Sequence, residues 1–123
     1  IMNAKKHNND YEILNSDKII SFRKKKEKIV QIITKYKKSI IQITYYDSLH
    51  RLNEKQEIEK SNCQAFVKYI DDILHTVSLT TKQYIENEFI NNLDEQWCLK
   101  EHSRSYYYRI RNIAITEFFQ YVQ

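Results

Sequence analysis

The chain has 123 residues, 20 Lys and Arg against 16 Asp and Glu, a formal net charge of +4, and no glycine or proline. That length holds one domain around one modest core, and the missing glycine excludes phosphate-binding loops of the Walker or Rossmann kind and nucleophile elbows. Without the two residues that turns normally use, a mostly helical protein is expected. Left-handed positions must then fall on asparagine, and Asn15, Asn53, Asn62 and the pair Asn91-Asn92 stand where helices could end.

No apolar run approaches bilayer length and no signal-type segment follows the basic start, so a cytoplasmic protein that does not enter a membrane is expected. Met2 is read as the native start, with Ile1 as a vector remnant. Cys63 and Cys98 are too few for a disulfide framework and are read as free thiols in helices. Abundant Ile, Lys, Asn and Tyr match an AT-rich genome, which makes some lysines compositional. The charge is uneven. Residues 1–50 hold 11 Lys and Arg against 5 Asp and Glu, residues 51–78 hold 4 against 5, and residues 79–123 hold 5 against 6.

Residues 1–15 are polar and aperiodic, and are expected to be a flexible arm whose Tyr11, Ile13 and Leu14 can dock on the body. The remainder, 16–123, is read as a single helical domain. A long helix is predicted from Ser16-Asp17, with Ile19, Phe22, Lys26, Ile29, Ile33, Tyr36, Ile40 and Ile43 on one stripe. The helix could pair with a second copy through the stretch around 19–43. The preferred alternative packs it on its own domain, because a second stripe, Ile20, Val30 and Ile41, would widen the buried face. Arg23, Lys24, Lys25, Lys26 and Lys28, then Lys35, Lys37 and Lys38, form basic clusters that are either a solvated face or a track for a polyanion. Residues 47–60 read as an exposed connection or a polar helical extension.

A second helix is predicted after Ser61, burying Phe66, Val67, Ile70, Ile73, Leu74 and Val77, with Asp71-Asp72 on a solvated face rather than at a metal. A third begins after Thr80 or Thr81, carries Tyr84, Ile85, Glu88 and Phe89, and ends near Asn91-Asn92. Leu93 to Lys100 form a fourth, with Trp97 as core anchor. The fifth runs from Ser103, a good N-cap, toward Tyr121. Tyr107, Ile110, Ala114, Phe118 and Tyr121 share its apolar stripe, while Arg104, Ser105, Tyr108, Arg109 and Asn112 face elsewhere. Arginine can bond guanine bidentately, asparagine can do so for adenine, and hydroxyls can reach phosphates. Tyr106 and Tyr108 are either half-buried supports or contacts to phosphate and thymine methyl groups.

The run Phe89 to Phe119, and within it Ser103-Arg104-Ser105, Tyr107-Tyr108-Arg109, Ala114-Ile115 and Glu117-Phe118, resembles the C-terminal helix-turn-helix of the ArpU and RinA type phage transcriptional regulators. That unit is similar to region 4 of bacterial sigma factors. The match covers about the last third of the chain.

His7, His50, His75 and His102 are scattered, and no cysteine–histidine set has zinc-site spacing. No catalytic residue, metal or cofactor is therefore assigned, and the protein is read as not an enzyme. The expected fold is all-α: a helical bundle with a long N-terminal helix and a C-terminal trihelical helix-turn-helix unit at about 79–123. The expected function is a DNA-binding transcriptional regulator. Ser103 caps the reading helix, Arg104, Ser105, Tyr108, Arg109 and Asn112 meet the major groove, and Arg111 or Lys100 meet phosphates. Double-stranded DNA is the expected partner, and the sigma likeness adds RNA polymerase. The alternative is a helical protein–protein interaction or dimerisation module without DNA binding.

Overall fold

The computed structural model describes the backbone of residues 4–122 and the side chains of residues 22–122. Among the described residues every regular element is helical, so the protein is all-α: α1 (Ala4–Ser48), α2 (Glu54–Thr76), α3 (Leu79–Tyr84) running into a π-helical stretch (Ile85–Ile90), α4 (Gln96–Leu99) and α5 (Arg104–Val122).

α1 starts at Ala4, well ahead of the Ser16-Asp17 start expected from the sequence, so the backbone of residues 4–15 is helical where a loose arm was expected. Nothing in Lys5 to Asn15 forbids a helix, since neither glycine nor proline interrupts it. The side chains of Tyr11, Ile13, Leu14, Ile19 and Ile20, and so their docking, lie outside the described ones. Farther along, Ile29, Ile33 and Tyr36 are buried as the first stripe requires, but Ile40 is 40% exposed. The second stripe does not widen the buried face. Val30 is 44% and Ile41 67% exposed, because α2 and α5 cover only one side of the helix.

α1 and α2 form a hairpin held by polar cross-links as well as apolar contact. The Tyr36 hydroxyl donates to Asp71 at 2.6 Å, the Tyr46 hydroxyl donates to Glu59 at 2.8 Å, and Lys60 lies 2.6 Å from Asp47. Burial, and then the bond to Asp71, raise the Tyr36 phenol well above its ordinary range. Asp71 is thus an interhelical acceptor and not part of a solvated face; Asp72 is exposed and pairs with Lys68 one turn back. α2 begins seven residues before Ser61, at Glu54, where Asn53 and Gln56 form a reciprocal capping box. Asn53 therefore starts a helix instead of ending one, and Asn62 lies inside α2.

Two extended residues, Val77 and Ser78, turn the chain into α3, which begins at Leu79 because Ser78 caps it. The carboxylate of Glu117 on α5 completes this cap from 39 residues away. It accepts from the Ser78 backbone N–H at 3.2 Å, the Ser78 hydroxyl at 2.8 Å and the fully buried Thr81 hydroxyl at 2.5 Å. The hydroxyl of Thr81, then those groups of Ser78, hold the Glu117 carboxyl below its usual pKa against an opposing effect of burial. A depressed folded-state pKa adds stability that is present above the unfolded value, about 4.3, and is lost as pH falls through the folded one. Glu117→Gln is accordingly expected to cost on the order of 1–2 kcal/mol at pH 7 and to flatten the acid limb of a stability–pH curve from urea unfolding. An unchanged acid limb would remove the carboxylate from that role.

Asn91 N–H bonds back to Glu86 and Leu93 N–H to Asn87, closing the π-helical stretch. Asn92, with φ 55°, is the left-handed residue at this corner, the one expected asparagine to take that conformation among the described residues. α4 is a single turn, shorter than the Leu93–Lys100 helix expected, because Leu93 is exposed and Asp94 accepts from Gln96 N–H to start the turn late. The core anchor is Tyr84, 1% exposed; Trp97 is half-buried and packs edge-on against it. On α5 the buried set is Tyr107, Ile110, Ala114, Ile115, Phe118 and Val122, with Tyr121 outside it. These side chains meet Ile29 and Ile33 of α1, Ile70 and Leu74 of α2, and Tyr84 and Ile85 in one core.

Candidate nucleic-acid interface

Ser103 caps α5 as its sequence position suggests: its hydroxyl accepts from Tyr106 N–H at 3.1 Å and its carbonyl from Tyr107 N–H at 3.1 Å. The preceding turn, Lys100 to His102, closes by Glu101 and His102 N–H bonds to the Cys98 carbonyl, and none of its residues has positive φ. Glycine is unnecessary there.

At 100° per residue, Arg104, Ser105, Tyr108, Arg109 and Asn112 fall within an arc of about 140°, and all five are exposed. Tyr107, Ile110 and Ala114, on the opposite side, are buried. Glu88, in the π-helical stretch, braces the first turn of α5. Its carboxylate accepts from the Tyr107 hydroxyl and, at 2.8 Å, from Trp97 Nε1–H, tying α4 and the first turn of α5 to one acceptor. Burial is the largest cause, and Glu88 a second one, holding the phenols of Tyr84 and Tyr107 far above their ordinary range, so both stay neutral. Cys98 lies under the same turn, its thiol also pushed up by burial, as for an inert packing residue. Both it and Cys63 are free thiols.

The three arginines have different surroundings. Arg104 donates to Glu95 at 3.0 Å, the two side chains 60% and 37% exposed, and that bond raises its already high pKa. Pairs so open to water contribute little and exchange readily. The Arg109 guanidinium lies 5.2 Å over the ring of Tyr106, whose other neighbour is His102, stacked at 4.2 Å. Tyr106 is thus a half-buried support. Arg111 stands apart from the face. It lies 5.2 Å over Phe22 of α1 and 5.3 Å over Tyr108, and its Nε is buried without a hydrogen-bond partner among the described residues. Of the two residues expected at phosphates, Arg111 or Lys100, Arg111 instead packs α5 against α1, because its position falls where α1 crosses. Lys100 is exposed beside the cap, and Tyr108 is 42% exposed.

The sequence does not single out three neighbours of these arginines, Tyr106, Glu95 and Phe22. Tyr106 as the plate under Arg109 follows from their three-residue spacing on one helix. Glu95 and Phe22 are long-range neighbours with no sequence signal. Searches of protein-family models, curated proteins and solved structures find no match to this chain.

Proposed function

We propose that the protein is a DNA-binding transcriptional regulator whose α5 enters the major groove with Arg104, Ser105, Tyr108, Arg109 and Asn112, Lys100 meeting a flanking phosphate. One observation carries this reading: the donor-rich side of α5 is exposed, while the opposite side anchors the helix in the core. A reading helix needs a rigid back and a free polar front. The likeness of Ser103 to Phe118 to the ArpU and RinA type regulators supports the same reading, and its sigma-like character makes RNA polymerase a further proposed partner. The test is selection of bound duplexes from random DNA, followed by titration at several salt concentrations. A consensus site whose affinity falls steeply with salt supports the proposal; no enriched sequence overturns it.

A second reading, a helical interaction module, is favoured by Val30, Ile41 and Tyr45, exposed together on the outer side of α1. The seam expected for a coiled coil, Ile29, Ile33 and Tyr36, is already consumed within the chain, so a second copy would have to use this other side. Light scattering at high concentration and high salt separates the two readings, since apolar pairing depends weakly on salt.

A further inference from the structure

We infer that the basic turn Arg23 to Lys28 of α1 holds the phosphate backbone of the duplex whose groove α5 reads; this rests on the proposed role of α5. The starting point is a mismatch of charge. Residues 79–123 carry 5 basic against 6 acidic side chains, yet neutralising phosphates supplies most of the sequence-independent binding free energy. Cations elsewhere in the molecule would close that gap.

Between Phe22 and Tyr46, α1 carries eight Lys and Arg and one acid, Glu27. Arg23, Lys24, Lys26 and Lys28 are exposed, and among the described residues none of them is paired with a carboxylate. Lys24 and Lys28 stand one turn apart, a like-charge arrangement that costs a helix stability until an anion screens it. Within residues 22–28, the two side chains that are not exposed both pack on α5: Phe22 under Arg111 and Lys25 over Phe119 at 5.6 Å. Arg111 in turn touches Tyr108, a member of the reading face. The exposed cations thus stand on the part of α1 that packs against the helix proposed to occupy the groove, beside which a backbone strand would run.

The experiment uses the full chain, a selected duplex and a scrambled duplex of equal length. The triple variant Arg23→Gln, Lys24→Gln, Lys26→Gln leaves Lys25 in its packing role and changes exposed side chains only. The slope of log affinity against log salt should become shallower by about 1 for each phosphate contact removed, roughly 2–3 in all. The preference for the selected over the scrambled duplex should stay within about twofold. A slope equal to that of the unaltered protein overturns the inference, whatever else the variant affects, including binding to an acidic protein. The pair Arg104→Ala, Arg109→Ala is measured alongside. Loss of preference there with an unchanged triple-variant slope sinks α1 as a DNA contact and leaves α5 as the reader. The reverse pattern sinks α5 as the reader and keeps the α1 contact. No binding of either duplex by the unaltered chain sinks both.

Discussion

Replacing Arg109 with alanine is expected to weaken binding to a selected duplex by about 5- to 150-fold, about 1–3 kcal/mol, while binding to a scrambled duplex changes little. Arg109 is the arginine best prepared for such a contact: it is exposed, has no carboxylate partner among the described residues, and rests on Tyr106, which limits the rotamer freedom lost on binding. Arg109→Lys should recover only part of the loss, because an ammonium cannot reproduce the planar two-donor fork. Arg104→Ala is expected to act in the same direction. Fluorescence anisotropy on both duplexes measures the effect. Equal weakening on both would make Arg109 a phosphate contact and not a base reader.

Glu88→Leu is expected to cost about 2–5 kcal/mol in urea unfolding, since the half-buried Trp97 Nε1–H and the buried Tyr107 hydroxyl both lose their acceptor. That is a large share of the roughly 5–15 kcal/mol available to a domain. Glu88→Gln keeps one acceptor oxygen and should cost distinctly less. The two variants also separate scaffold from surface: Glu88 makes no contribution to the exposed arc, so weaker DNA binding by the folded Leu variant would report the lost rotation of α5. Equal stability of both variants and the unaltered chain would dismiss the Glu88 hub.

Local rules carried the reading of α5 a long way. Ser103 is identifiable as a cap from its residue type and the periodic run after it, and the burial of Tyr107, Ile110, Ala114 and Phe118 follows from 3.6-residue spacing. The capping box at Asn53 and Gln56 was equally visible, but the charge of residues 47–60 hid it. Other features were not legible because their causes are distant in sequence. Asp71 looks like a surface acid until Tyr36 arrives from α1, and Glu117 looks like an exposed helical acid until Ser78 and Thr81 meet it. The reach of α1 also determines which arginine stays free. Arg109 and Arg111 differ by two residues in sequence, yet one faces solvent and the other lies over Phe22. No periodicity argument assigns which side a crossing helix will cover, and the same limit explains why Val30 and Ile41 were expected inside.

The most direct measurement is an amide chemical-shift titration of the chain with a selected duplex at low salt. Shifts concentrated at residues 100–112 of the turn and α5, with a second group at 23–28 of α1, are the result this account predicts. Shifts confined to the outer side of α1 around Val30, Ile41 and Tyr45, with the first two turns of α5 unmoved, would contradict it.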